Sequence, residues 1–463
     1  MRQIPQMDRF LTVDELSTGI AALAEQFPDL ARLRRVGTSR LGEPIHMLSV
    51  GQGSKNVFLF ACPHPNEPIG AMLVHHLSRT LCQDASIREL GDVTWHLIPC
   101  VDPDGTRLNE GWFAGPFTPR NYARHFYRPA SHEQVEWTFP ISYKRHYFDR
   151  ALPETQMLMR VIDELQPAVM VSLHNAGFGG VYYYITREAP ALYDLLHRIP
   201  EWEGLPLNLG EPEVPYARLL APAIYGTLGT KDTYDYLESN GVDPTATLSG
   251  ASSDEYARKY GTFSLIIEVA YYDDPRVNDS TPTNTRRRDA ILRGLDLNAE
   301  ASRAIEAIYG SVARDLRGHS PFETSVRWWI EALGASREAE RQWAERAAET
   351  DRPATVAELF SSNEQVQFYR LLWLGMAVRM LEGEIAIGNG TPAIRQGLVE
   401  ARQTFDEWAT RLESTLPNLR VVPIRSLVAV QLGAVLATVS HLLGDDSKVE
   451  AIPESLDVTA HPA

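Results

Sequence analysis

Short apolar runs alternate with segments of helical periodicity over the first 270 residues of the chain. Thr12-Val-Asp-Glu15 has the form of a capping box and predicts a helix that continues to about Gln26. The apolar runs predict seven strands, at residues 32–36, 45–51, 57–61, 93–99, 168–173, 181–185 and 262–270. Alternation of this kind indicates an α/β fold, in which a mixed sheet carries helices on both faces.

The pattern changes after about residue 311, where we find no convincing strand. Thr391 and Pro392 form a good N-cap and first-turn pair, and the short connections favour antiparallel helices in an all-α bundle. Its aromatic residues are expected in the core: Trp328, Trp329, Phe368, Tyr369, Trp373 and Trp408. Four helical patterns cover residues 322–349, 354–387, 392–415 and 424–443.

These patterns predict three parts of the chain. Residues 1–310 would form a catalytic domain, residues 311–445 an accessory helical bundle, and residues 446–463 a disordered tail. The longest apolar stretch, 427–443, is short for a membrane span and contains Gln431 and His441, so we interpret it as a buried helix of the bundle. The bundle is also a possible surface for homo-oligomer formation.

Composition narrows the choice of partner and compartment. The net charge is −16, and no basic stripe interleaves with aromatics, so nucleic acid and an anionic membrane are not expected as partners. Three cysteines, Cys62, Cys82 and Cys100, do not make a disulfide framework, and the first ten residues lack the apolar core of a signal peptide. Both features favour a reducing cytoplasm.

The segment from Ala61 to Gly70 places His64 and Glu67 where an apolar strand stops and a helix begins. Imidazole nitrogen and carboxylate oxygen suit zinc, and a catalytic zinc needs three protein ligands with a fourth position open. His174 follows another apolar strand, at the end where open α/β sheets carry their functional groups. Since a single His-x-x-Glu is often accidental, His174 is the residue that strengthens the hypothesis of a zinc site.

Glu268 lies inside the hydrophobic strand Thr262–Ala270. Burying a carboxylate is costly unless the group is paired or used, so Glu268 is a candidate functional residue. The residues alone do not say what it does.

Several further segments occur in the order found in one known family. Phe27–Leu30 and Val36–Ile45 match its opening helix and strand, and Asp102-Pro-Asp-Gly105 its Asn-Pro-Asp-Gly turn. Pro153-Glu-Thr155 precedes the strand of His174, and Gly250–Asp254 is similar to the family's specificity-pocket loop. Together with the candidate ligands, residues 8–305 resemble the zinc metallocarboxypeptidases, or funnelins. The resemblance implies one zinc per chain.

The resemblance also implies roles for individual residues. Glu268 would take a proton from the attacking water and pass it to the leaving amine. An arginine would stabilise the oxyanion, with Arg120 and Arg124 as the catalytic candidates and Arg107 nearby. The residues expected to bind substrate are Asp102, Arg107, Asn121, Ser253 and Asp254.

The chain departs from the family pattern at the substrate-binding positions. Asp102 replaces a neutral asparagine, Ala246 replaces an expected tyrosine, and the Asn-Arg dipeptide is reversed in Arg120-Asn121. Ser253, at the selector position, gives no strong side-chain preference. We therefore expect a non-standard substrate anchor, with Asp102 favouring an amine or hydroxyl unless an arginine binds a carboxylate. Asp102→Asn is expected to improve hydrolysis of free-carboxylate peptides.

The leading prediction is a zinc hydrolase that cleaves a C-terminal bond of a peptide or amino-acid conjugate. One alternative is a deacylase or amidase similar to aspartoacylase, because such enzymes share the His-x-x-Glu pair and the later histidine. A second alternative is an inactive relative that serves as a binding module. Retention of all three ligands and Glu268 disfavours the inactive form, and the carboxypeptidase-like opening disfavours the deacylase.

Overall fold

The computed structural model describes residues 4–444; the predicted tail at 446–463 lies outside the described residues. Its strands are β1 Ala31–Thr38, β2 Pro44–Val50, β3 Lys55–Ala61, β4 Val93–Ile98, β5 Ile141–Tyr143, β6 His146–Phe148, β7 Val169–Leu173, β8 Ala176–Phe178, β9 Tyr182–Ile185, β10 Leu219–Ala221, β11 Ile224–Gly226, β12 Phe263–Glu268, β13 Ala270–Asp273, β14 Pro282–Arg286, β15 Pro353–Thr355 and β16 Arg420–Val421.

The helices of the described residues include both long elements and single turns. They are α1 Val13–Gln26, α2 Ile69–Gln83, α3 Ala85–Arg88, α4 Pro103–Arg107, α5 Pro119–His125, α6 Pro153–Leu165, α7 Pro190–Trp202, α8 Thr230–Ser239, α9 Ser253–Ala257, α10 Arg287–Val312, α11 Pro321–Arg346, α12 Val356–Phe360, α13 Val366–Ala386, α14 Pro392–Thr415 and α15 Ile424–Leu443.

Nine strands form one mixed sheet in the order β1-β2-β4-β3-β7-β12-β9-β11-β10. The four central strands β4, β3, β7 and β12 run parallel, whereas β2 and β9 join them in antiparallel orientation. The predicted mixed sheet with helices on both faces is confirmed. Because β3, β7 and β12 are parallel neighbours, their carboxyl ends meet at one edge, where functional groups are expected.

Both faces of the central strands are buried. Val57 and Leu59 of β3 belong to one hydrophobic cluster, and Phe58 and Phe60 belong to another on the opposite face. This explains why the sequence of β3 is an unbroken apolar run, as is typical of a parallel strand covered on both sides. Helices α2, α7 and α15 pack together on one side, while α6 and α9 pack on the other.

The C-terminal region is largely helical, as predicted. Helix α13 packs against α10, α11 and α14, and it also packs against α5 of the preceding region. At Gly375 of α13 a Cβ atom would lie 2.0 Å from the carbonyl oxygen of Ala123, so a side chain there would prevent this close contact. One hydrophobic cluster contains buried residues of both regions.

Three local features differ from the predicted helical patterns. Pro353–Thr355 pairs with β14 as strand β15, and Arg420–Val421 pairs with β13 as β16. The predicted helix at 354–387 is α12, a π-helical turn at Ser361–Gln365 and then α13. Strands of two or three residues carry too little periodicity to be detected in a sequence.

Helix α15, Ile424–Leu443, is long and apolar enough to cross a membrane by length and composition, and 61% of its apolar window is buried within the protein. It packs on α2 and α7, beside the sheet, instead of within the bundle formed by α10, α11, α13 and α14. The Nε2 atom of Gln431 donates a hydrogen bond to the carbonyl oxygen of His174 at 2.7 Å. This helix therefore supports one of the predicted metal ligands.

Candidate metal centre and active-site cleft

The three predicted metal ligands lie together at the edge formed by β3 and β7. His64 and Glu67 belong to the loop between β3 and α2, and His174 follows the last residue of β7. One ligand atom from each lies within 4.8 Å of the others, and all three side chains are buried. Cys62 has a φ of 53°, which turns the chain directly after β3 and brings His64 over the edge.

The donor atoms of this group fit a metal ion. Glu67 Oε2 lies 3.1 Å from His174 Nδ1, while the buried Nδ1 of His64 has no hydrogen-bond partner among the described residues. Burial, helped by Arg128 and His174, lowers the pKa of His64 well below its usual value, so the ring is neutral, as a ligand must be. Two imidazole nitrogens and one carboxylate oxygen match a zinc site with an open fourth position.

A second layer of hydrogen bonds orients His174. Its Nε2 lies 2.8 Å from Ser172 Oγ, and Ser172 donates in turn to Glu136 Oε2 at 3.4 Å. This arrangement puts the ring proton on Nε2 and leaves Nδ1 free to bind a metal, the usual function of such outer partners. Asn175 donates its backbone N–H to Glu67 Oε2 at 3.3 Å.

Glu268 ends β12 and lines the same cleft as the three ligands. It is 8% exposed, and burial raises its pKa well above the ordinary value, with added repulsion from Glu213 and Glu67 and an opposing effect of Arg128. The carboxyl group therefore faces the metal ligands across a sheltered space. A base in that position is suited to accept a proton from a bound reactant.

The cleft has a volume of about 610 Å³ and is walled by both the sheet and the helical region. Four of the aromatic residues predicted in the bundle core also line it: Trp328, Trp329, Tyr369 and Trp373. Trp329, Tyr369 and Trp373 are partly buried and pack against the hydrophobic core as well, so for these three the prediction missed only the contact with the cleft. Phe368 and Trp408 are buried as predicted.

The predicted oxyanion arginines do not reach the cleft. Arg120 pairs with Asp406 at 2.8 Å and with Glu413 at 2.9 Å, and Arg124 pairs with Glu382. Both arginines therefore join α5 to the helical region, and their assignment as catalytic residues is corrected. Their acidic partners lie more than 250 residues away in sequence, which is why the sequence alone did not reveal the pairing.

Arg128, which the sequence analysis missed, is the arginine that the structure places in the cleft. Its Nη1 donates to Glu67 Oε1 at 3.0 Å, on the side of the carboxylate opposite His174. The residue lies in an irregular segment after α5, where no periodic pattern indicates the direction of a side chain. Its one indication in the sequence was its position, as a third arginine shortly after Arg120 and Arg124.

Three predicted substrate-binding residues make other contacts. Arg107 pairs with Asp14 at 2.7 Å and with Glu43 at 3.1 Å, and Asn121 donates to the carbonyl oxygen of Pro116 at 3.0 Å. Asp254 pairs with Arg258 at 2.7 Å. The structure does not bring these three to the wall of the cleft.

Ser253 reaches the cleft indirectly. Its N–H and Oγ both donate to Glu136 Oε1, at 3.0 and 2.7 Å, and Glu136 itself lines the cleft. Glu136 lies in a single 3₁₀ turn, Val135–Trp137, which is too short to show periodicity, and the sequence analysis missed it.

Asp102 is fully buried but does not face the substrate space. Its Oδ1 accepts from the N–H of Gly105 at 3.0 Å, capping α4, and lies 3.4 Å from Arg40 Nη2. Glu154 shares the same arginine at 3.3 Å. Burial raises the pKa of Asp102 to about 6 despite the attraction of Arg40. The expected role of Asp102 in repelling a substrate carboxylate is therefore corrected to a structural one.

Asp102→Asn is expected to change the pH dependence of stability and not substrate choice. The folded-state pKa of about 6 exceeds the unfolded value of about 3.9, so the wild type loses stability as pH rises from about 4 through about 6. The variant lacks this loss, which is on the order of 3 kcal/mol at 1.36 kcal/mol per pKa unit. Urea unfolding at pH 4, 5, 6 and 7 measures it. A stability difference between the two proteins that stays constant with pH would contradict this interpretation, as would faster hydrolysis of free-carboxylate peptides by the variant.

Metal analysis is expected to find about one zinc per chain, because the site offers three ligands. His64→Ala and His174→Ala should each lose stoichiometric zinc, since two remaining ligands bind far less tightly. His197→Ala is a matched control: this histidine is half-buried and is not one of the three clustered ligands, and its ring contacts the carbonyl oxygen of Pro222. Full zinc content in both ligand variants would refute the assignment.

Comparison with known proteins gives consistent matches. A family model described as zinc carboxypeptidase matches residues 17–270, a segment that contains His64, Glu67, His174 and Glu268. Carboxypeptidase B from Astacus astacus is 26% identical over 97 residues, which are 20% of this chain and 32% of that protein. The chain thus spans about a third of that relative's length.

Two solved structures have a similar chain. A metallo-carboxypeptidase from Burkholderia cenocepacia has a TM-score of 0.34 and 15% identity, with coverage of 72% of this chain and 69% of that one. Carboxypeptidase A from Helicoverpa armigera has a TM-score of 0.37 and 15% identity, with coverage of 73% and 75%.

Proposed function

Because the chain belongs to the zinc carboxypeptidase family, we propose that it cleaves a C-terminal peptide or amide bond of a peptide or an amino-acid conjugate. One observation carries the proposal: the group His64, Glu67 and His174 and the carboxylate of Glu268 share one sheltered cleft. Such a cleft holds both the ligands of a hydrolytic metal and a base beside them.

Zinc held by these three side chains would polarise the substrate carbonyl and lower the pKa of a water to about 7. Glu268 accepts the proton of the attacking water and passes it to the leaving nitrogen. Arg128 donates hydrogen bonds to the carbonyl oxygen as that oxygen gains negative charge. The pair between Arg128 and Glu67 holds the guanidinium beside the metal ligands before substrate binds.

The two alternatives make different demands on this cleft. A deacylase similar to aspartoacylase would use the same ligands, so the site alone does not separate it; the family match from residue 17, which includes the opening helix and strands, favours the carboxypeptidase. An inactive binding module has no need of the buried carboxyl of Glu268, whose burial is costly. We therefore prefer an active hydrolase.

Incubation of the zinc-loaded protein with peptides of varied C-terminus and with acylated amino acids, read by mass spectrometry, tests the proposal. We expect loss of one C-terminal residue or conjugated group, abolished by a chelator and restored by zinc. Cleavage restricted to small N-acyl amino acids would favour the deacylase. Absence of any zinc-dependent cleavage would favour the inactive module.

A further inference from the structure

The cleft is acidic in a way that the proposed reaction does not require. Its charged lining consists of one arginine, Arg128, and five glutamates: Glu67, Glu136, Glu211, Glu213 and Glu268. Two of these glutamates form ion pairs. Glu67 pairs with Arg128, and Glu211 pairs with Arg287 at 2.6 Å. Among residues 4–444, no lysine or arginine forms an ion pair with the other three. Apart from Arg128, the lining offers no cation to receive a substrate carboxylate.

Glu268 is the proposed base, which leaves Glu136 and Glu213 without an assigned contact to the substrate. Glu213 is exposed at the rim, where it accepts hydrogen bonds from Tyr182 and Tyr184. Glu136 is 2% exposed and forms part of the buried wall of the cleft. Water compensates a charge at the rim far better than one inside the wall, so Glu136 is the group whose charge needs explanation.

The hydrogen bonds of Glu136 come from neutral donors. Oε1 accepts from the N–H and Oγ of Ser253, whereas Oε2 has a single contact of 3.4 Å with Ser172 Oγ, which is long for a hydroxyl donor. Oε1 is thus held firmly and Oε2 retains room for a stronger donor. A cationic N–H is the donor that would best offset the buried negative charge.

The surrounding wall also suits a cation. Trp137 follows Glu136 in the chain and lines the cleft with it, and the helical region adds Trp328, Trp329 and Trp373. The rings of Trp329 and Trp373 stack with centroids 4.9 Å apart. Aromatic faces attract ammonium and guanidinium groups, and tryptophan does so most strongly.

We propose that the cleft anchors its substrate through a positively charged nitrogen, an ammonium or guanidinium group bound by Glu136, instead of through a free carboxylate bound by an arginine. This inference rests on the proposed hydrolase function and specifies its substrate class: amides and peptides that carry a cationic group close to the scissile bond. A free carboxylate is then dispensable for recognition.

Five benzoyl or anilide substrates test the inference on the zinc-loaded protein. N-benzoyl-lysine has both charges, N-benzoyl-norleucine has only the carboxylate, and N-benzoyl-1,5-diaminopentane has only the ammonium group. In the two anilides the varied chain is on the acyl side of the scissile amide. The anilide of 6-aminohexanoic acid carries an ammonium group there, and the anilide of hexanoic acid carries no charge. We expect kcat/KM for an ammonium substrate to exceed that of its partner without an ammonium group by on the order of tenfold or more in at least one half of the set.

Glu136→Gln should reduce this ratio, of the ammonium substrate to its partner without an ammonium group, by on the order of tenfold, because the amide keeps the size but not the charge. Glu400→Gln, the same change at an exposed position of α14, should keep the wild-type ratio. If Glu136 serves only to orient His174 through Ser172, the variant would lower both rates equally and leave the ratio intact, which would overturn the proposal. Preference of the wild type for N-benzoyl-norleucine would overturn it as well.

Binding of 1,5-diaminopentane and of pentanoate, measured by calorimetry on the zinc-loaded wild type, gives a readout independent of turnover and of any variant. The diamine is expected to bind at least tenfold more tightly than pentanoate. Tighter binding of pentanoate would refute the cationic anchor even if amides are hydrolysed. Diamine preference without hydrolysis of any substrate would instead refute the proposed function and retain the anchor.

Discussion

Glu268→Gln is expected to lower turnover by on the order of a hundredfold or more while zinc content and fold are retained. The amide has the shape of the carboxyl group but cannot accept the proton of the attacking water. Glu268 is buried and is not one of the three clustered ligands, so its neutral replacement removes a costly buried charge and leaves the metal group complete. Steady-state kinetics with a substrate found by the mass-spectrometric screen measures the effect.

The control for Glu268→Gln is Glu400→Gln, which makes the same chemical change on the exposed face of α14 and should keep wild-type turnover. Zinc analysis and thermal unfolding of both variants separate a chemical loss from a structural one. Full activity of Glu268→Gln with bound zinc would remove Glu268 from the mechanism. Loss of zinc in that variant would show instead that Glu268 contributes to the metal site.

Much of the fold and the group of metal ligands could be predicted from the sequence, because both follow from local patterns. The apolar runs that became β3 and β7 end side by side as parallel neighbours, so His64 and His174 could be grouped in advance, whereas Glu268 of β12 was placed beside them only by the family resemblance. Each histidine follows shortly after the end of a strand that is buried on both faces, and Glu268 ends such a strand. Strand-end residues are therefore predictable even without an alignment.

The remaining site residues belong to irregular segments whose direction depends on distant contacts. Arg128 and Glu136 lie between α5 and α6, in a stretch with little regular structure, and no periodicity indicates that their side chains face the cleft. Arg120 and Arg124 were plausible by sequence interval, yet Asp406, Glu413 and Glu382 hold them outside. The packing of α13 against α5, with the ion pairs that join α5 to α13 and α14, decides which arginine is left for the site.

The role of the helical region was missed for a related reason. Trp328 and Trp329 of α11 and Trp373 of α13 have the spacing of a buried stripe, and tertiary packing turns that stripe toward the metal group. Helix α13 also holds Arg124 through Glu382. The helical region therefore both walls the cleft and secures the segment that precedes Arg128.

Arg128→Gln is expected to lower kcat by on the order of a hundredfold to a thousandfold, the loss typical of a removed oxyanion donor. Arg128 is the one arginine in the lining of the cleft within residues 4–444, and it already contacts Glu67 at 3.0 Å. Glutamine keeps a donor but loses the charge that meets the developing oxyanion. The fall should be in kcat more than in KM, because the interaction strengthens only as the reaction proceeds.

Arg120→Gln and Arg124→Gln are the matched controls for Arg128→Gln, since they remove the same charge from neighbouring arginines that pair with Asp406, Glu413 and Glu382. They should keep turnover within a few-fold of wild type and lose stability only slightly, as is usual for exposed or half-exposed ion pairs. Zinc analysis is needed alongside, because Arg128 also contacts Glu67. A larger loss of kcat in Arg120→Gln or Arg124→Gln than in zinc-loaded Arg128→Gln would contradict the assignment. It would show that an arginine of α5, and not Arg128, stabilises the oxyanion.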